Sequence, residues 1–459
     1  MRKFAPWFML LALCSFSFAA FAQDSDALPR NALSGKHPIH ANNSANAHKN
    51  GNIPTPHGFP LGVDTITNFT GQFEDHGVLF DGTAHHVWEY SMVGNPPERG
   101  GTTVFNAPIV PVSLDLRNAD GSPRFVKVVD ASSGLCQANQ QSCVVTCGIQ
   151  VPQDASCQRL FSDVTSFIQP FVNGPVFNGL STYSSSPVPT QITDAVQRAE
   201  FGNHARADWH TLLSANLKAP EVMTLLRGTY QFALNADGSC CFFVLIAEDV
   251  FNNKLFPQSP AGPDNTSVIG QAEVAGNVTT KDISTFLFPN AYLFDPNTGG
   301  CCVLGFHTFD FEPGNATNLP ANGNQPRFFV LNYSSWISPG IFGGGFQDVT
   351  ANSHEIAETF NDPFVGFDGI HNIVPFWKNP AGQCQDLMED GDVIEDLSKF
   401  GSVTFPVTVN GFTYHPQNEA LLPWFEFQQN SRAIDNAYSY PNEAILPHLS
   451  APQPLNCGQ

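Results

Sequence analysis

The stretch SHEIAETFNDPF, residues 353–364, decides how the rest of this chain is read. Ahead of it stand the apolar, strand-like run RFFVLNY (327–333) and the loop SSWISPGIFGGGF, whose Pro339 and Gly343, Gly344 and Gly345 break regular structure. QDVTANSHEIAETFNDP then fits a helix over residues 348–360, and Asp362 before Pro363 gives the stop, because a residue preceding proline avoids the helical region. On that helix His354 and Glu358 are four apart and stand one above the other on a single face. Glu355 is turned away from His354 by about a quarter of a turn, which suits a group that holds a water beside a metal without binding the metal. The spacing is that of an HExxH zinc-protease helix with a carboxylate in place of the second imidazole. Zinc accepts that exchange, since carboxylate oxygens are ordinary zinc ligands. The cost is electrostatic: the extra carboxylate weakens the metal as a Lewis acid and leaves its water less acidic.

Two ligands need a third. The segment QDLMEDGDVIEDL (385–397) supplies Glu389 and Asp392, three apart, among Asp386, Asp390, Glu395 and Asp396. Such a run is also what a solvated loop or a calcium site looks like, although it lacks the spacing of an EF-hand loop. Asp362 and His371 are the weaker candidates for the third position, and His307 in CCVLGFH is a more distant one. His415 and Glu419 in YHPQNE are also four apart, but Pro416 argues against a helical turn there.

Composition sets the compartment. The chain opens MRKFAPWFMLLALCSFSFAAFAQ, with Arg2 and Lys3 before an apolar run of about a dozen residues and Ala20-Phe21-Ala22 before Gln23, which reads as a cleaved secretory signal over residues 1–22. The expected location is therefore secreted or periplasmic. No later stretch approaches the roughly 18 apolar residues of a membrane span. Loss of Cys14 leaves an even number of the 11 cysteines in an oxidising compartment, so disulfides are expected, with no pairing deducible. The formal net charge of −21 argues against nucleic acid and anionic membranes as partners and is compatible with divalent cations.

Residues 23–60 are rich in Asn, Ala, Pro and Gly without hydrophobic period and read as a flexible linker. From residue 61 short apolar runs alternate with Gly, Pro and Asn, the punctuation of a β-rich or α+β fold with long loops. Strands are expected at 103–116, 228–235, 241–247 and 327–333, and an amphipathic helix at 190–201. The length favours two packed regions, a β-rich one over 61–200 and a second over 201–459, with the division near residue 200. Trp377, Trp424 and Phe425 read as core aromatics before they read as a substrate cleft. The chain has no GxSxG elbow, and GIFGGGF lacks the Lys and Ser/Thr of a phosphate loop.

SHEIAETFNDPF, CQDLMEDGD (384–392) and FTYHPQNEALLPWFEF (412–427) together resemble a family of uncharacterised secreted bacterial proteins with a SHEIxE-xxDP helix, a CQ-x-LExGD segment and a C-terminal YHxQ-WF block. TTVFNAPIVPV, QITDAVQRAEF and CCVLGFHTF extend the likeness over most of the chain after residue 90. More remotely, HEIAE with its following ExxD is similar to the HELAE helix of Exordium-like and other zincin-like proteins. The resemblance implies a zincin-like α+β fold, His354 and Glu358 as zinc ligands, Glu355 as base, and Glu389 or Asp392 completing the site. The resulting expectation is a zinc-dependent peptidase in which activated water attacks a peptide carbonyl of a peptide or protein substrate. Two alternatives stand beside it: a non-catalytic extracellular binding protein on the same fold, and a secreted protein stabilised by calcium in the acidic run. The oligomeric state is not readable.

Overall fold

A computed structural model describes residues 25–36, 63–74, 87–128, 157–159, 161–180, 190–236, 239–258, 264–312, 326–343, 345–365, 377–378, 384–385, 388–397, 403–426, 428 and 430–446. Residues 1–22, expected to be a signal segment, and His371, Asp386 and most of the Cys136–Cys157 stretch lie outside them.

Ten strands form the two larger sheets: β1 Thr102–Arg117, β2 His210–Leu217, β3 Glu221–Leu226, β4 Tyr230–Ala233, β5 Phe243–Ala247, β6 Ile283–Pro289, β7 Ala291–Phe294, β8 Cys301–Val303, β9 Gly305–Glu312 and β10 Arg327–Trp336. Six helices matter for the site: α1 Thr165–Val172, α2 Ile192–Phe201, α3 Glu248–Leu255, α4 Val268–Val274, α5 Thr350–Asn361 and α6 Asp390–Leu397. The fold is α+β. No helix among the described residues is long and apolar enough to cross a membrane.

The main sheet runs β9-β10-β6-β1-β2, with β3 pairing β1 beyond β2. β1 is long enough to serve two partners: residues 102–109 run parallel to β2 and residues 112–117 parallel to β3. β6 lies parallel to both β1 and β10, and only β9 is antiparallel, closing the edge against β10. Every residue of β6 is buried, as are all of β10 after Arg327, which is why both read as continuous apolar or small-residue runs rather than alternating ones. A second sheet has the order β8-β7-β5-β4. The main sheet draws strands from both sides of residue 200, so the division expected there does not separate two sheets.

β9 sets the two faces of the sheet edge. Side chains alternate along a strand, so His307, Phe309 and Phe311 look one way and Phe306, Thr308, Asp310 and Glu312 the other. Phe309 and Phe311 share a core with Val196 of α2 and Ile356 and Phe360 of α5. Phe306 shares another with Phe251 and Leu255 of α3 and Ile269 of α4. Helices therefore cover both faces, and His307 belongs to the face that α5 covers.

Two expectations change on this frame. Part of the stretch read as linker is packed: Leu33 is buried in a core with Phe243 and Tyr292, and Leu28 N–H donates to the Phe232 carbonyl at 2.8 Å. Leu28 and Ala32 pack against the same core, Arg30 lies over the Phe242 ring at 4.1 Å, and Asp26 pairs with Arg124 and Arg227, so a segment of largely polar composition is docked. Disulfides are expected without a pairing, and among the described residues Cys240 pairs with Cys241 and Cys301 with Cys302, each adjacent in sequence.

Candidate metal centre

All twelve residues of α5 (TANSHEIAETFN) are buried, although only Ala351, Ile356, Ala357 and Phe360 are apolar. A surface helix would turn this many polar side chains to water. A buried polar group needs an internal partner, and the neighbouring elements provide one for several of these, although neither side-chain atom of Asn352 has one among the described residues. Ser353 Oγ accepts from Gln417 N–H at 2.8 Å, Thr350 Oγ donates to the His415 carbonyl at 2.7 Å, and Asn361 Nδ2 donates to both Glu200 Oε1 at 2.7 Å and Asp390 Oδ2 at 2.9 Å. The helix is entered from Asp348, whose carboxylate holds His415 by its ring Nδ1 at 2.7 Å and its backbone N–H at 2.8 Å. It ends at Asp362, whose N–H closes on the Glu358 carbonyl at 2.7 Å before Pro363.

α5 packs against β9 and β10 on one side and α6 on another, and that sandwich brings six titratable side chains together. His354 Nε2 stands 3.1 Å from Glu358 Oε2 and 3.5 Å from Asp392 Oδ1. His307 Nδ1, arriving from β9, stands 3.3 Å from the same Glu358 Oε2, 3.8 Å from Glu355 Oε2 and 3.8 Å from Glu389 Oε2. Glu355 Oε1 is 3.9 Å from His354 Nε2. Two trios, His354-Glu358-Asp392 and His307-Glu355-Glu358, each bring one donor atom per residue within 4.8 Å of the others. Two donors that share one zinc at about 2.1 Å can be at most about 4.2 Å apart. The measured separations from each imidazole meet that limit, so the side chains present fit a divalent metal without rearrangement of the helix.

Local structure explains how donors from three segments converge. α6 approaches α5 at Gly391, where a Cβ would stand 2.5 Å from His354 Nδ1. β9 approaches it at Gly305, where a Cβ would stand 2.5 Å from Glu355 Oε1 and 2.9 Å from the Tyr333 carbonyl. Both glycines are the condition for close approach rather than for an unusual backbone. Gln417 then ties the two helices together, its Nε2 donating to the Gly391 carbonyl at 2.8 Å while its N–H holds Ser353. Asp392 N–H donates to Glu358 Oε1 at 3.3 Å, which fixes the rotamer of the carboxylate common to both trios. His354 Nδ1 is buried without a hydrogen bond, 3.5 Å from Glu395 Oε1, and His307 Nε2 is buried without a partner.

No family model, curated protein or solved structure matches this chain. Its donors alone carry the functional reading.

The electrostatics are those of a site that holds positive charge. Burial works against charging His354, but the Glu358 and Glu355 carboxylates outweigh it and hold the imidazole well above its usual range. Burial likewise opposes charge on His307, where Glu389, Glu355 and Glu358 prevail. Glu358 keeps its charge: burial pushes against it, yet both histidines hold its carboxyl far below the usual range. Glu355, under the same burial and against the same histidines, is pushed up to about 7. Glu389 and Asp390 are raised well above normal, first by burial and then by their acidic neighbours. Positive charge at the two imidazoles is what lets this many carboxylates share a dry space.

Of the residues singled out in the sequence, His354, Glu355, Glu358, Glu389 and Asp392 come together. The structure divides the two candidates for the third position, with Asp392 beside His354 and Glu389 beside His307. Asp362, buried at the end of α5, is in neither trio and acts on the site through its charge near Glu389. His307, the remote candidate, lies at the centre. Trp424 and Phe425 are buried in a core with Met388 and Val393. Sequence reasoning missed the supporting shell of Glu200, Asn361, Gln417, Gly305 and Gly391. All but Glu200 stand within two residues of a residue singled out in the sequence, but nothing in that proximity says which of them packs against the donors.

Proposed function

We propose that this protein is a zinc-dependent hydrolase acting on peptide bonds, with His354, Glu358 and Asp392 as the metal ligands. The observation that carries the reading is the convergence of an i, i+4 His/Glu pair on α5 with a carboxylate from α6 at ligand separations, inside a fully buried polar helix. Imidazole donors favour zinc over calcium, which takes oxygen ligands in larger number. A zinc ion there would supply a Lewis acid that polarises a carbonyl and lowers the pKa of a water.

The chain's own residues do the rest. Glu355 neighbours the trio without belonging to it, its Oε1 3.9 Å from His354 Nε2, where a carboxylate can take a proton from a water and return it, as a general base must. His307, 3.8 Å from Glu355 Oε2, carries a proton that opposes negative charge building on the attacked carbonyl. Glu389, the most exposed of these side chains at 14 %, marks the side from which solvent reaches the donors.

Burial of the other donors favours a second reading, in which the same trio holds a structural metal on a non-catalytic scaffold. Glu355→Gln separates the two. The hydrolase reading expects zinc content unchanged and turnover of a casein or mixed-peptide substrate lowered at least about 100-fold, the range for losing a general base. Full activity in that variant would leave only the scaffold or another mechanism.

A further inference from the structure

We infer that the centre takes two divalent cations rather than one, with a second position formed by His307 Nδ1 and Glu355 and with Glu358 shared between the two ions. The inference rests on the reading of His354, Glu358 and Asp392 as a first position, and it concerns a site built from a different strand.

The geometry is particular to Glu358. Its Oε2 lies 3.1 Å from His354 Nε2 on one side and 3.3 Å from His307 Nδ1 on the other, so two imidazoles from separate elements address one carboxylate oxygen. The two trios converge independently and have Glu358 in common. A carboxylate shared between two cations is how paired metal sites keep their ions about 3.5–4 Å apart. His307 is 4 % exposed, and its ring is not used to complete the β9 ladder, which pairs by backbone with β10 at Asn332. An imidazole placed in a dry site among Glu355, Glu358 and Glu389, with its far nitrogen left without a partner, is a costly arrangement unless the near nitrogen is engaged by a cation or carries a proton. The donors are mixed nitrogen and oxygen, which suits zinc, manganese or cobalt better than calcium. Gly305 serves this position as Gly391 serves the first, since a Cβ there would displace Glu355.

The second position uses Glu355 as a ligand, which removes it from the role of base.

Titration of the metal-free full chain with Zn2+ by calorimetry, followed by elemental analysis after gel filtration, tests this directly. Two zinc ions per chain are expected, the second binding at least about tenfold more weakly than the first. His307→Ala should bind one, with the affinity of the tighter step changed less than about threefold, and His307→Gln serves if the alanine variant is not folded by circular dichroism. One ion in the wild type overturns the second position and leaves the first intact. Two ions retained in a folded His307 variant place the second ion elsewhere and also overturn it. No zinc at all overturns both this inference and the hydrolase reading.

Discussion

Gly391 shows how much of the site depends on a side chain that is absent. Any Cβ at that position meets the His354 ring, so Gly391→Ala must push either the imidazole or α6 away by an appreciable fraction of an ångström. Because His354 Nε2 is already 3.5 Å from Asp392 Oδ1, the expected outcome is a loss of zinc affinity of about 10–100-fold with the fold retained, measured by competition with a chelator. The pair His354 and Glu358 was legible in the sequence because helical spacing alone puts the two on one face. His307 was not ranked with them because it comes from a strand, and nothing local in CCVLGFHTF says which helix covers it. The alternation of β9 places His307 on one face with Phe309 and Phe311, but both faces of this strand are buried, so alternation alone does not say which helix covers the histidine.

Between elements, the polar helix α5 is held by a few buried hydrogen bonds rather than by a broad apolar stripe. Gln417 and Asn361 each make two of them, and each joins α5 to segments that carry candidate donors or their neighbours. Gln417→Ala removes the side-chain bond to the Gly391 carbonyl and leaves that acceptor buried, a loss of about 1–3 kcal/mol. Denaturant titration of the metal-free protein measures it, with zinc affinity expected to fall in parallel because α6 carries Asp392. Equal stability in wild type and variant would mean that α5 and α6 are not coupled through this residue. The strands at 103–116, 241–247 and 327–333 and both expected helices were readable because their periods and stop signals are local. Their order in the sheet was not, because β1 selects β2, β3 and β6 through contacts far apart in the chain. The docking of residues 25–36 was invisible for a similar reason, resting on scattered contacts of Leu28, Leu33, Asp26 and Arg30 with segments far along the chain.

At the scale of the molecule, buried acids give folding a distinctive pH dependence. Burial pushes Glu200 up to about 8, with Asn361 and Arg432 opposing, and Glu426 up to about 7 against Arg432. On the opposite face of β9, burial pushes Asp310 up to about 7 and Glu312 to about 8, near Glu273, whose carboxyl is also raised. A carboxyl whose folded pKa is raised keeps a proton that the unfolded chain releases, so its contribution is fully present below about pH 4 and lost as pH rises through 7 to 8. The histidines of the metal-free centre, also raised, act in the same direction from about pH 6.5 upward. The metal-free protein is therefore expected to melt at a higher temperature at pH 5 than at pH 8. At the proposed zinc site the trend should reverse, since zinc ligands must be deprotonated and affinity grows with pH. Addition of a chelator should lower the melting temperature at pH 8 and leave it nearly unchanged at pH 5. A melting temperature that rises from pH 5 to pH 8 in the absence of metal would contradict this assignment of buried protons.

Glu358 is the residue on which the whole site turns, since its carboxylate faces both histidines. The zinc content of purified wild type and Glu358→Ala, each shown to be folded by circular dichroism, therefore decides the central claim. Stoichiometric zinc in the wild type and none in the variant is the expected result. A folded Glu358→Ala protein that retains the wild-type zinc content would contradict it.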